Sequence, residues 1–147
     1  MMNAAEIIAL LGMKRHPEGG WYVETFRDGS GSGPRGNSTA IYFLLEADDV
    51  SAWHRVRDAA EVWHHYAGSP LALMTYEEDG PVVTKMLGTD LAAGQRPQAV
   101  VPPNWWQMAR SLGDWTLVGC TVAPGFDFTA FELAPAGWQP KPAENPT

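Results

Sequence analysis

The chain has 147 residues, of which 45% are hydrophobic and 18% charged, and its formal net charge is −7. This length predicts one domain with a substantial core, and the negative charge argues against nucleic acids and anionic membranes as partners. The one cysteine, Cys120, excludes an internal disulfide, and we find neither a signal peptide pattern nor an apolar run of about 20 residues. We therefore expect a cytoplasmic protein.

A short helix is predicted at the start of the chain. Asn3 is a suitable N-cap, Glu6 stands three residues later as in a capping box, and Gly12 can end the helix. Beyond it the pattern changes to strands and turns. Residues 19–26 and 39–45 are predicted strands, separated by a flexible loop over residues 28–38.

Over the rest of the chain the sequence pattern predicts short strands joined by turns. Asp79-Gly80 is a strong hairpin signal, and a last strand is predicted over residues 127–134. About eight to ten strands without helical patterns between them predict an all-β sandwich or barrel. The domain should span residues 1–140. The proline-rich segment 135–147 is expected to be loose, with residues 141–147 as a disordered tail.

Ionisable side chains are concentrated between residues 51 and 70. If residues 54–56 and 61–66 form a hairpin, a connecting loop of even length directs His54, Glu61 and His65 to one face. A loop of odd length instead groups His54 with His64 and turns Glu61 away. The spacing alone leaves both registers open.

This segment resembles the first motif of the cupin superfamily. His54, Glu61 and Gly68 stand at motif positions, whereas Val56 stands where a second histidine ligand is expected. "PPNWWQMARS" resembles the second motif, with Asn104 in place of its glycine and Gln107 in place of its histidine.

Longer segments, including "HPEGGWYVETFR", "EVWHHYAGSPL" and "LVGCTVAPGFDFTAFEL", make the chain similar to a family of small single-domain cupins from bacteria and fungi whose function is unknown. The resemblance implies a double-stranded β-helix, the cupin jelly-roll barrel, usually assembled as a homodimer. It favours the even register, with His54 and Glu61 inward and Gln107 on the same pocket wall, and it implies no settled activity.

The favoured enzymatic hypothesis is a sugar-type isomerase or epimerase that transfers protons inside the barrel. His54 would be the base, oriented by Glu61, and His65 or Tyr42 the acid. Arg27 is the candidate for binding an anionic group of a sugar-like or keto acid-like substrate.

Two alternatives remain. In a metal-dependent, dioxygenase-like cupin, His54, Glu61, His65 and Gln107 would bind divalent Mn, Fe, Ni or Zn. In a non-catalytic binding or storage protein, Trp63, Trp106 and Gln107 would help to hold a small-molecule ligand.

Three further residues have simpler interpretations. His16 is expected to be structural, His64 to lie at the surface or an interface, and Cys120 to be a buried small hydrophobe rather than a nucleophile.

Overall fold

The computed structural model describes residues 2–29 and 35–141. Within these residues the chain forms one α-helix, eleven β-strands and one 3-10 turn at Leu91–Ala93. The elements are α1 Ala4–Leu11, β1 Lys14–Arg15, β2 Trp21–Arg27, β3 Thr39–Glu46, β4 Val50–Val56, β5 Ala60–Gly68, β6 Leu71–Tyr76, β7 Val82–Leu87, β8 Gln98–Val101, β9 Trp106–Ser111, β10 Trp115–Ala123 and β11 Phe131–Leu133.

Helix α1 begins and ends where its capping residues predict. The Asn3 side chain accepts a hydrogen bond from the backbone N–H of Glu6 at 2.9 Å, and Gly12 adopts the left-handed conformation. Ile7 is buried and packs with Leu44 on the outer face of β3. No helix in the part of the chain that the structure describes has the length and hydropathy to cross a membrane.

Two antiparallel sheets face each other and form the predicted jelly-roll barrel. The first sheet has the strand order β1-β2-β3-β10-β5-β8, and the second has the order β11-β4-β9-β6-β7. Apolar side chains from both sheets fill the space between them and form the main core. The bulkiest of these buried core residues are Phe43, Leu45, Trp63, Leu71, Leu73 and Leu87.

The predicted hairpin between β4 and β5 is wrong, because the two strands belong to different sheets. Strand β4 pairs with β9 and β11, whereas β5 pairs with β10 and β8. The short connection carries the chain from one sheet to the other. Val56 and Ala59 at its ends are buried against Val122 and Ala130, so the crossing buries apolar surface that a flat hairpin would expose.

Two motif positions have backbone conformations that their residue types explain. Gly68 has φ 85°, and a Cβ there would come within 2.5 Å of the Trp115 carbonyl oxygen. Asn104 has φ 70°. Asparagine tolerates this left-handed region better than most residues, so it can stand where the cupin motif has glycine.

The C-terminal segment is not loose as far as Lys141, contrary to the prediction. The Trp138 ring lies 4.6 Å from the Trp106 ring, and the Tyr76 hydroxyl donates a hydrogen bond to the Lys141 carbonyl at 2.8 Å. The large aromatic ring of Trp138 buries apolar surface against the second sheet. Residues 142–147 of the predicted tail and residues 30–34 of the predicted flexible loop lie outside the described residues.

Candidate active site

A cavity of about 630 Å³ opens between the two sheets near the turn that joins β4 to β5. Its wall combines ionisable and aromatic side chains from both sheets and from the loops beside them. The buried histidines and glutamates of the wall are His16, Glu18, His54 and Glu61, and the aromatic residues are Tyr22, Phe126, Phe128 and Phe131. We call these four buried residues, His16, Glu18, His54 and Glu61, the interior cluster.

His54 points inward from β4 and is only 2% exposed. Its Nδ1 lies 2.9 Å from Oε2 of Glu18 and 2.7 Å from the Ala52 carbonyl oxygen. Burial disfavours the charged imidazolium, but the carboxylates of Glu18 and Glu61 outweigh it and raise the pKa of His54 to about 9. His54 is therefore a cation at neutral pH, and its Nε2 edge is the one left for a ligand.

Glu18 is the charge partner of His54, and the sequence analysis missed it. It precedes Gly19 and Gly20, whose φ values of 107° and 79° allow the chain to turn closely against β4. Its carboxylate also accepts a short hydrogen bond from the Ser51 hydroxyl. Burial alone would raise its pKa, but the His54 cation and these hydrogen bonds hold the pKa of Glu18 below its ordinary value.

His16 lies on the cavity wall beside this ion pair. Its Nδ1 accepts a hydrogen bond from the Glu18 backbone N–H at 3.2 Å, and its ring stands 4.6 Å from the Tyr22 ring. Burial and the nearby His54 cation lower the pKa of His16, although Glu18 opposes them. His16, which the sequence analysis took as structural, is thus a neutral imidazole on the cavity wall. The sequence signal for both residues was the spacing of a histidine and a glutamate before two glycines.

Glu61 reaches the same cavity from β5 in the opposite sheet. It is 8% exposed, and Nε2 of Gln107 donates a hydrogen bond to its Oε1 at 2.7 Å. Burial and the charge of Glu18 raise the pKa of Glu61 to about 7, against the opposing effects of His54, Gln107 and Cys120. Near neutral pH the carboxyl group is therefore divided between its acid and base forms.

The donors predicted for a divalent metal do not converge. His65 lies further along β5, where its Nε2 is 3.1 Å from the Ser69 carbonyl oxygen, and it does not line the cavity. The amide oxygen of Gln107 accepts a hydrogen bond from Trp63 at 2.8 Å. Across residues 2–29 and 35–141 no three His, Cys, Asp or Glu side chains are arranged to hold a metal ion. The residues present do not fit a cupin metal centre.

Tyr42 and the two tryptophans predicted to line the pocket lie elsewhere. Tyr42 is on the outer face of β3, in the apolar cluster beneath α1, and cannot reach the cavity. Trp63 is fully buried in the main core. Trp106 is on the outer face of β9, because it is adjacent to the inward-pointing Gln107 and side chains alternate along a strand.

Arg27 lies at the cavity wall, but its guanidinium already donates hydrogen bonds to three acceptors of the protein. It donates hydrogen bonds to the Glu24 carboxylate at 2.7 Å, to the Arg35 carbonyl at 2.8 Å and to the Phe126 carbonyl at 3.0 Å. These contacts connect β2 with two loops at the cavity edge. A substrate anion would therefore have to compete with three acceptors of the protein itself.

His64 and Cys120 lie where the sequence suggested. Nε2 of His64 lies 3.0 Å from the Thr121 hydroxyl, and its ring stacks on the half-exposed Tyr66. Cys120 is buried on the cavity wall beside Glu61, and burial together with the nearby carboxylates raises the pKa of its thiol well above the ordinary value. Cys120 is therefore a neutral thiol.

The interior cluster contains groups in different protonation states. At neutral pH it presents a fixed cation at His54, a titrating carboxyl at Glu61 and a neutral imidazole at His16. Groups with a pKa near the working pH are the most effective general acids and bases. The sequence analysis took His54 as the base, but an imidazole that is already protonated cannot accept a proton, whereas the ionised form of Glu61 can.

Comparisons with known proteins agree with this architecture. The profile of the family described as "Cupin superfamily (DUF985)" matches residues 5–134. The chain is similar to the crystal structure of protein SO0799 from Shewanella oneidensis, with 40% identity and a TM-score of 0.87 over 91% of this chain and 85% of that one. No curated protein matches the sequence.

Two more solved structures have the same fold. A hypothetical protein from Leishmania major is 28% identical, with a TM-score of 0.82 over 89% of this chain and 86% of that one. A dTDP sugar isomerase from Desulfovibrio desulfuricans is 15% identical, with a TM-score of 0.60 over 81% of this chain and 83% of that one. At this low identity the isomerase shows the shared fold alone.

Proposed function

The chain belongs to the DUF985 family of the cupin superfamily, and from this premise we propose that it is an isomerase or epimerase acting by proton transfer in the barrel. The substrate class is a sugar-like or keto acid-like molecule with a C–H bond next to a carbonyl group. One observation carries the proposal. A buried His54–Glu18 ion pair and a carboxyl group with a pKa of about 7, that of Glu61, line the same cavity.

The reaction needs one base and one hydrogen-bond donor. The Glu61 carboxylate takes the proton from the carbon next to the carbonyl, the electron pair of the broken C–H bond forms a C=C bond, and the π pair of the carbonyl group moves onto its oxygen. The Nε2–H of the His54 imidazolium donates a hydrogen bond to that oxygen and stabilises its negative charge. When that carbon carries a hydroxyl group, the hydroxyl proton passes to the former carbonyl oxygen and the C–H proton returns to the former carbonyl carbon, which completes isomerisation. Epimerisation instead adds a proton to the opposite face of the same carbon, and since Glu61 lies on one face only, solvent water supplies that proton.

Glu18 has a supporting role in this scheme. Its carboxylate holds Nδ1 of His54, fixes the ring and stabilises the imidazolium, as a carboxylate does behind a catalytic histidine in hydrolases. The distant likeness to a sugar isomerase is an analogy of fold that agrees with the proposed reaction class. The roles themselves are argued from the charges and contacts in this cavity.

The test is hydrogen exchange at carbon. Protein treated with chelator is incubated in deuterated water with a panel of keto sugars, their phosphates and 2-keto acids, and proton NMR follows the loss of C–H signals next to the carbonyl. We expect exchange for at least one compound, and a loss of at least about 100-fold in Glu61→Gln and His54→Gln. His64→Gln, on the outer face, is the matched control and should exchange normally. Exchange that persists in Glu61→Gln would refute the assigned base.

A ligand-binding protein without turnover is the second candidate. The rings of His16, Phe126, Phe128 and Phe131 contact one another along one side of the cavity, with centroids 4.9–6.4 Å apart. Such a wall can hold a flat or ring-shaped molecule without chemistry. Native mass spectrometry of freshly purified protein tests this. A retained small molecule, together with no exchange across the panel, would favour binding over catalysis.

We also propose that the protein is a homodimer. Strand β1 covers only the Trp21 and Tyr22 positions of β2, so within the described residues that edge of β2 has no partner strand over residues 23–27. An open edge can pair with a second copy. Light scattering after size exclusion should give twice the chain mass of 16.1 kDa. A single-chain mass at micromolar concentration would refute the dimer.

A further inference from the structure

A chain of hydrogen bonds runs from the core to the carboxyl group of Glu61. Nε1 of Trp63 donates to Oε1 of Gln107 at 2.8 Å, and Nε2 of Gln107 donates to Oε1 of Glu61 at 2.7 Å. Trp63 and Gln107 are each 1% exposed. Neither residue lines the cavity, so these bonds reach Glu61 through the buried interior, where water does not compete with them.

The donor and acceptor groups of the side chains fix the direction of both hydrogen bonds. An indole nitrogen can only donate, so Trp63 must face the amide oxygen of Gln107. The amide NH₂ group then faces Glu61 and can only donate to it. Oε1 of Glu61 is consequently an acceptor whether the carboxyl group is ionised or protonated.

We propose that Gln107 and Trp63 are positioning residues, which reserve Oε1 of Glu61 as an acceptor and leave Oε2 as the oxygen that exchanges a proton with a bound molecule. Gln107 stands where the second cupin motif has a ligand histidine, and in this chain the position serves to orient a carboxyl group. The kinetic consequence rests on the proposed function, whereas the hydrogen-bond arrangement can be tested without any substrate.

Several other groups act on Glu61 and must be kept unchanged in the test. His54 and Glu18 face it across the cavity, and the Cys120 thiol hydrogen-bonds the same carboxyl. The variants therefore alter only Trp63 and Gln107. Replacing both residues by apolar ones leaves neither an unpaired indole N–H nor an unpaired amide, which limits the loss of stability.

The experiment is a pH titration of the Glu61 carboxyl by carbon NMR, with glutamate labelled at Cδ and the signal assigned by its absence in Glu61→Gln. In the double variant Trp63→Phe/Gln107→Leu, Oε1 loses its donor, and we expect the pKa to rise by about one unit. In Trp63→Phe alone the amide is free to rotate, and we expect a smaller rise. Ser111→Ala, on the same strand β9 and bonded to Thr116, is the control and should leave the pKa unchanged.

The outcomes separate the two proposals. An unchanged pKa in the double variant, or an equal rise in Ser111→Ala, overturns the positioning role whatever the activity. A rise in the double variant but none in Trp63→Phe overturns the part assigned to Trp63. A higher pKa of Glu61 in the double variant and in Trp63→Phe, with no change in Ser111→Ala, supports the inference. It does so even if no compound in the panel exchanges hydrogen, in which case the proposed reaction alone fails.

Discussion

The two faces of β4 and β9 carry opposite kinds of chemistry. Inward, His54 belongs to the charged interior cluster and Gln107 supports it. Outward, their neighbours Trp53 and Trp106 join Tyr76 and Trp138 in an apolar cluster, which we call the tryptophan cluster. The two regions share the same backbone, so their difference arises from alternation along the strands and from what the rest of the fold packs against each face.

The comparison shows two ways of stabilising buried groups. In the interior cluster each protonation state depends on the others, so a single substitution should alter the remaining pKa values. In the tryptophan cluster the contacts are apolar, and the effects of substitution should be local and close to additive. Four experiments test this distinction.

The largest effect is expected from Glu18→Gln. The substitution keeps the size of the side chain and an acceptor for Ser51 but leaves the buried His54 without its closest counter-charge. We expect the free energy of unfolding at pH 7 to fall by about 4 kcal/mol, measured by urea denaturation, and the pKa of His54 to fall with it. Glu24→Gln removes a half-exposed ion pair with Arg27 and should lower the free energy of unfolding by less than about 1 kcal/mol. Equal losses in the two variants would contradict the coupling.

The next effect is the dependence of stability on pH. His54 has a pKa of about 9 in the folded protein against 6.5 in the unfolded chain, so the folded state binds the proton more tightly. Its contribution is complete below pH 6.5 and is lost as pH rises through 9, amounting to about 3 kcal/mol. Denaturation curves between about pH 6.5 and 9.5 should show this decline. In His54→Gln the decline should largely disappear below about pH 8.5, above which the buried Cys120 thiol, whose pKa is also raised, contributes a decline of its own. A parallel decline of variant and parent below that pH would refute the assignment.

A smaller effect is expected in the tryptophan cluster. Trp138 is half-buried against Trp106 and Trp53, and Trp138→Ala should lower the free energy of unfolding by about 2 kcal/mol through lost apolar contact. Because the Trp138 side chain is uncharged and lies outside the cavity, we expect the pKa of His54, measured by NMR, to stay unchanged. A shift of one unit would show that the two faces are coupled after all.

The smallest effect is expected from Arg55→Gln. The Arg55 guanidinium stands 4.4 Å over the Trp106 ring and pairs with Glu132. We expect a loss of about 1 kcal/mol. Arg57→Gln is the matched comparison, since Arg57 pairs with the same glutamate and is more exposed. If the two substitutions cost the same, the contact with the ring contributes nothing measurable.

Much of the fold could be predicted, because its signals are local. The caps of α1, the alternation that separates Trp53 from His54, and the cupin motifs around Glu61 and Gln107 all act within a few residues. The site was predicted only in part. His54 and Glu61 do face one cavity, but they do so from two sheets rather than from one hairpin. Glu18 was missed because its partner, His54, comes from a distant part of the chain.

Local patterns along the chain are enough to predict the helix, the all-β architecture and which neighbours point to opposite faces, because backbone sterics and side-chain alternation depend on adjacent residues. The tertiary structure alone decided that β4 and β5 separate into two sheets, that Glu18 meets His54, and that His65 lies away from the cavity. These outcomes depend on how the sheets close around a common core. The charges that set the protonation of the site are brought together only by that closure.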